Sequence, residues 1–129
     1  MKEIITAPPG GPKAQGPYSV AVRQNGFVFL SGQIPLDPKS GELVAGPIEA
    51  QAARVIENLQ AVLAAAGLTL DDVVKTTVFL KNMNDFSRMN DTYAKYFGPN
   101  FPARTTIEVA RLPRDVQIEI EAIAFDSRG

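Results

Sequence analysis

The sequence contains no cysteine and no histidine. Without cysteine there is no disulfide, no thiolate nucleophile and no cysteine metal site. Without histidine, the usual general base near neutral pH and the commonest metal ligand are both missing. Ser-His-Asp and Cys-His chemistry are thereby excluded within the chain. Any catalysis must rest on carboxylates, Arg, Lys, Tyr, Ser or Thr hydroxyls, backbone groups or water. Neither sign of charge is in excess. The 13 Lys+Arg and 14 Asp+Glu leave a formal charge of −1, which argues against bulk electrostatic capture of nucleic acid or an anionic membrane. Long apolar runs are lacking too. The longest mainly apolar stretch, Ala61 to Leu70, falls far short of a membrane span. Met1 to Ile5 carries one Lys and no apolar h-region, so no signal peptide is expected and the expected location is the cytoplasm. There is no internal repeat and no long low-complexity run.

What is present describes one ordinary globular domain over residues 1–129, with 45% hydrophobic and 21% charged residues. Ala7 to Pro17 is rich in Pro and Gly and reads as a loop or loosely held arm. Ser19–Gln24 and Phe27–Ser31 flank Asn25-Gly26, the strongest short-range hairpin signal, because both residues tolerate positive φ. Pro35 and Pro38 bar a regular ladder beyond Gly32, and Asp37 to Gly41 reads as a turn. Ile48 to Ala66 is the clearest helix. Ile48, Ala52, Val55, Ile56, Leu59, Val62, Leu63 and Ala66 form one stripe, with Glu49, Gln51, Arg54, Glu57, Asn58 and Gln60 opposite. Val73 to Leu80 is β-branched and reads as a strand. Asp85 to Phe97 predicts a second helix, ended by Gly98-Pro99. Arg104 to Arg111 and Val116 to Phe125 predict a final pair of strands around the turn Leu112–Asp115.

The expected order is therefore hairpin, helix, strand, helix, hairpin. Two helices cannot cover both faces of a sheet of about five or six strands, so an α+β domain with both helices on one face is predicted. The last strand carries Val116, Ile118, Ile120, Ala122 and Ala124 in one row, and Gln117, Glu119, Glu121, Ile123 and Phe125 in the other. Ile123 and Phe125 do not belong in water side by side. That favours an oligomer interface on the helix-free face over a merely half-exposed sheet.

Candidate chemistry is sparse. Arg104, in FPARTT, can grip a carboxylate bidentately, and can equally pair with a surface acid. Glu119 and Glu121 share a strand face at roughly 6–7 Å and can divide acid and base roles if their surroundings separate their pKa values; solvated strand glutamates are also common. Ser31-Gly32 ends a strand, where a hydroxyl and a backbone N–H can face a ligand. Tyr18 after Gly-Pro is either a packed aromatic or a site lid. Lys75 offers a Schiff-base amine if buried, and otherwise belongs at an edge or interface. Asp71-Asp72 read as solvated loop residues rather than a metal site. Gly10-Gly11 lacks the strand–turn–helix context of a phosphate loop.

Read together, GPYS (Gly16–Ser19), SGQIPLDPKSGELV (Ser31–Val44), VVKTTVFLKNMNDFSRMN (Val73–Asn90) and FPARTTIEVARLPRDVQIEIEAIA (Phe101–Ala124) strongly resemble the YjgF/RidA family of reactive intermediate deaminases. The likeness runs from about Ile4 to Phe125. It implies a chorismate-mutase-like α+β fold and a homotrimer whose helix-free faces pack inward, with clefts between subunits. It also implies hydrolysis of enamines and imines such as 2-aminoacrylate and 2-iminopropanoate to 2-oxo acids and ammonia. By the resemblance, Arg104 corresponds to the carboxylate-binding Arg and Glu119 to the acid that handles water. Tyr18, Ser31 with Gly32, and Asn90 correspond to pocket residues. Thr106 stands where many relatives carry Cys, leaving its backbone groups to serve.

No cofactor and no metal are expected. Arg104 would clamp the carboxylate, and Glu119 would aim a water at the imine carbon and act as base or proton relay. Tyr18 would pack over the ligand and relay a proton, and Ser31 with nearby backbone groups would orient the ligand. Rival readings are an RNA-cleaving translation inhibitor, a non-catalytic 2-oxo-acid-binding or chaperone-like trimer, and a deaminase dedicated to one pathway, such as one acting on 2-aminomuconate.

Overall fold

The computed structural model describes residues 1–128. Six strands form one sheet: β1 (Glu3–Ile5), β2 (Ala21–Gln24), β3 (Phe27–Gln33), β4 (Val73–Leu80), β5 (Ala103–Glu108) and β6 (Ile118–Phe125). Two helices, α1 (Ile48–Ala65) and α2 (Phe86–Phe97), pack on one face. The sheet order is β1-β2-β3-β6-β4-β5, mixed, in an α+β arrangement.

Asn25 (φ 53) and Gly26 (φ 83) make the two-residue turn that the Asn-Gly pair predicts, and β2 and β3 pair antiparallel across it. Helix α1 stops where expected. Gly67 takes φ 78, Leu68 N donates to Leu63 O at 2.8 Å, and Gly67 N donates to Ala64 O at 3.0 Å. That is the paired closure of a helix end built on a left-handed glycine. Thr69 N then donates to Asp72 Oδ2 at 2.9 Å, so Asp72 is spent on a local turn.

Three sequence expectations need correction. The final hairpin does not form. β5 pairs with β4 in parallel, and β6 inserts between β3 and β4, antiparallel to both. The reason is burial. Ile118, Ile120, Ala122 and Ala124 are 3% exposed or less and need helices above and strands on both sides, so the central slot goes to β6. β5 then reaches the edge by the β4-α2-β5 crossover that parallel pairing requires. Lys75 consequently lies on an interior strand, with its Nζ donating to Thr77 Oγ1 at 3.2 Å. Second, β1 was not foreseen; three residues are too few to show a period, and it forms by adding to β2. The arm that follows is a loop but not a loose one, since Pro12 is buried and Ala14 packs on the core.

Third, Gln51 and Asn58 are buried, not on the polar side of α1. Proline keeps the segment 34–47 from pairing as a ladder, so its carbonyls need other donors. Asn58 Nδ2 donates to Ile34 O (3.2 Å) and Leu36 O (2.8 Å), and Gln51 Nε2 donates to Val44 O (3.1 Å). Gln51 Oε1 also accepts from Gln117 N at 3.1 Å. Two amides on one helix thus hold down the loop that follows β3.

The face away from the helices is apolar in its centre. Phe27, Phe29 and Phe125 are 42%, 46% and 39% exposed, and the Phe27 and Phe125 rings meet edge-on at 5.0 Å. Ile123 lies beside them, opposite Phe29 in the ladder. The two β6 rows divide as the alternation predicts.

Replacing Asn58 with Ala removes both donors from the 34–36 carbonyls. The expected loss is about 2–3 kcal/mol in denaturant unfolding, with the far-ultraviolet spectrum unchanged.

Candidate active site

The pleat of β6 aims Glu119 away from the helices, towards the end of β3. There the ladder slips: Leu30 pairs with Ala122 and Gln33 with Ile120, so Ser31 and Gly32 together oppose Glu121. This bulge brings the backbone of Gly32 against the Glu119 side chain. A Cβ on Gly32 would overlap the Glu119 carboxylate, so only glycine leaves room for it. Around them opens a cleft of about 450 Å³, lined by Glu119, Gly32, Tyr18, Lys13, Arg114 and Asn58 among others. Glu119 is half-buried. Burial, and secondarily the charge of Glu121, push its carboxyl above the ordinary value of 4.5. Tyr18 is 48% exposed at the rim, and its hydroxyl accepts from Gln15 N at 3.1 Å. The N-terminal arm supplies one wall through Gly11, Pro12 and Lys13.

Arg104 lies elsewhere. It pairs with Thr76 across the parallel ladder, and Thr76 pairs with Ala122, a residue of the helix-facing row. Arg104 therefore stands on the opposite face of the sheet from Glu119. It opens onto a second pocket of about 420 Å³, shared with Asn90, Tyr93, Ala94, Phe101 and Pro102. Its guanidinium carbon sits 4.8 Å from the centre of the Tyr93 ring and 5.5 Å from that of Phe86. Among the described residues no acid pairs with it. The Asn90 Oδ1 and Thr106 Oγ1 atoms are buried without a hydrogen-bond partner among the described residues.

The sequence candidates thus divide into two groups. Tyr18, Gly32 and Glu119 share the first cleft; Arg104 and Asn90 share the second pocket. Ser31 lines neither of these, and its Oγ donates to Ser19 O at 2.6 Å, tying β3 to the segment before β2. Glu121 is exposed on the Glu119 face. Sequence reasoning missed Lys13, Asn58 and Arg114 in the first cleft, and Phe101 as well as the aromatic seat of Arg104. Arg114 had a signal of sorts: Arg-Asp in a predicted turn, where the structure gives Arg114 φ 55 and Asp115 φ 57.

Comparison with known proteins defines the class. A family model described as Endoribonuclease L-PSP matches residues 9–126. The chain is 56% identical over 125 residues to a RutC family protein of Pyrococcus horikoshii, covering 97% of this chain and 98% of that protein. It is 53% identical over 116 residues to a Salmonella typhimurium protein named 2-iminobutanoate/2-iminopropanoate deaminase, covering 88% and 90%. The crystal structure of Escherichia coli TdcF with bound serine superposes with a TM-score of 0.91 at 43% identity, covering 97% of this chain and 99% of that one. These matches span nearly the whole chain with the same six-stranded, two-helix architecture. The chain belongs to the YjgF/RidA family.

The position of Glu119 has a measurable consequence. Its folded pKa lies above its unfolded value, so the ionised form disfavours folding. This penalty is absent below the unfolded value and complete above the folded one. Glu119→Gln should therefore unfold at a higher denaturant midpoint than the parent at pH 7, with the gain vanishing near pH 4. Glu121→Gln should lower the Glu119 titration midpoint, followed by carboxyl NMR, yet leave it above 4.5 because burial is the larger cause.

Proposed function

We propose that the protein hydrolyses reactive 2-imino acids and their enamine tautomers to 2-oxo acids and ammonia, at sites completed by a second copy of the chain. The observation that carries this reading is the guanidinium fork of Arg104, which no acid among the described residues pairs with. It is held between aromatic rings and open to a pocket, while the protonatable carboxylate sits in a separate cleft. Relatives at 51–53% identity are named 2-iminobutanoate/2-iminopropanoate deaminases, and the TdcF structure carries serine, an α-amino acid. The two halves of the site face different ways in one chain. An assembly of three copies burying the Phe27, Phe29 and Phe125 face would give the apolar patch a cover and bring one copy's Arg104 to another's Glu119.

The chemistry needs little beyond positioning. Arg104 takes the substrate carboxylate bidentately, which fixes the imine carbon. Ionised Glu119 accepts a proton from water as the water oxygen bonds to that carbon and the C=N pair moves to nitrogen. The protonated Glu119 gives the proton to the resulting amine. The C–N bond then breaks while the hydroxyl oxygen forms the carbonyl, and the hydroxyl proton leaves with ammonia as ammonium. Iminium and water become 2-oxo acid and ammonium, and Glu119 returns to its starting form. Tyr18 covers the ligand from the rim, and the bare Gly32 backbone leaves room for the Glu119 carboxylate. Glu119 carries the proton from water to the amine, and an enamine enters this cycle after taking a proton from solvent at its β carbon.

The description printed for the family model supports a second reading, RNA cleavage, for which Lys13 and Arg114 would be the phosphate contacts beside Glu119. Turnover decides between the two. Arg104→Lys keeps the charge but loses the planar fork, and should lower 2-oxo acid formation from freshly generated 2-iminopropanoate by about a hundredfold or more without changing the assembly. Unchanged imine turnover would overturn the assignment, and salt-sensitive RNA cleavage without imine turnover would favour the second reading. Sedimentation should give the mass of three chains for the parent, and lone chains for Phe29→Glu.

A further inference from the structure

Arg104 lies on an edge strand, has a long side chain, and among the described residues has no acid to hold it. A free arginine of this kind samples many rotamers, and immobilising it on a ligand would weaken binding. The structure supplies a restraint of another sort. Its guanidinium lies near two rings of α2, Tyr93 at 4.8 Å and Phe86 at 5.5 Å. These residues are seven apart, two turns along one helix face.

The Tyr93 ring is itself fixed on two sides. Its hydroxyl shares a 2.6 Å hydrogen bond with Thr76 Oγ1, both groups being buried. Its face stacks on Phe97 with centroids 4.4 Å apart and planes 26° from parallel. Thr76 is the residue of β4 directly opposite Arg104 in the parallel ladder. The strand neighbour of the arginine thus anchors the ring that supports it. Phe86, by contrast, is 36% exposed at the start of the helix, where a phenyl ring gains little from the core.

We propose that Phe86 and Tyr93, with Thr76 locking the latter, are positioning residues that hold the Arg104 fork ready for a carboxylate. The idea rests on the reading of Arg104 as the carboxylate clamp. A paired Asp or Glu would also fix the arginine, but it would consume the N–H groups and compete with the ligand for the charge. A π face attracts the cation and leaves all five N–H donors directed outward. Burial raises the Tyr93 phenol above its ordinary value of 10.0, so the ring stays uncharged beside the cation it supports.

The test is a double-mutant cycle read by pyruvate binding in calorimetry and by KM and kcat for imine turnover. Phe86→Leu should weaken pyruvate binding and raise KM about fivefold, while the assembly and the thermal midpoint stay close to those of the parent. Phe86→Tyr keeps a π face and should restore both. In an Arg104→Ala background, Phe86→Leu should have no further effect on either quantity, since its influence passes through the arginine. Tyr93→Leu opens a buried site and is expected to destabilise, so Tyr93→Phe is the informative change: it frees Thr76, keeps the ring and should raise KM less than Phe86→Leu does. If Phe86→Leu leaves binding and KM unchanged while Arg104→Ala measurably weakens binding and raises KM, the aromatic seat is wrong and the clamp stands. If Arg104→Ala also binds and turns over normally, the clamp itself falls and the seat with it.

Discussion

The period-two alternation of β6 governs the rest of the molecule. Its inner row, Ile118 to Ala124, is buried under the helices and takes the centre of the sheet. The same pleat turns Glu119, Glu121, Ile123 and Phe125 to the other side. Shifting the register by one residue would bury two carboxylates and expose the core row, so the register is tightly specified. Because Arg104 belongs to the helix side of its strand, one pleat separates the guanidinium from the Glu119 carboxylate. In the proposed assembly, the need for a second copy to bring these two groups together is therefore a consequence of how the core is built.

The first cleft depends on backbone that cannot pair as a sheet. Prolines after β3 remove ladder donors, and the amides of Asn58 and Gln51 replace them from within the helix. The price of that device is two polar side chains on a helix whose apolar stripe is otherwise continuous. Across the cleft, the Ser31–Gly32 bulge lets a backbone without side chain approach Glu119. Rigid elements thus set the positions of the groups, while irregular ones shape the space between them.

Much of this was legible in the residues. Both helices, β2, β3 and β4 follow from apolar period and punctuation, and the mixed outer row of β6 announced an exposed apolar face. What escaped had weak local signals. β1 is three residues long and exists because β2 has a free edge. The parallel pairing of β5 is a long-range choice, decided by which strand most needs burial. Asn58 and Gln51 look polar by type and act as core by position, because the carbonyls they satisfy lie in another segment. Arg104 and Glu119 could each be picked out, yet nothing in their spacing says that they occupy opposite faces. That fact requires the sheet order. The π support of Arg104 also needs α2 seated on β4 before Phe86 and Tyr93 mean anything beyond helix packing.

In the proposed reaction, a chain without histidine relies on a carboxyl as its base. Burial, and secondarily the charge of Glu121, raise the Glu119 carboxyl above its ordinary value. In the proposed assembly two further effects act on it in opposition. Covering the open face strips water from Glu119 and raises it more; an approaching Arg104 cation lowers it. A substrate carboxylate bound to Arg104 neutralises that cation. In the proposed reaction that lowering influence of Arg104 fades when the ligand is seated, while the iminium brings its own positive charge to the carboxylate and favours the ionised base. A rigid π-held guanidinium serves this better than a salt-bridged one, because its charge is answered by the substrate alone.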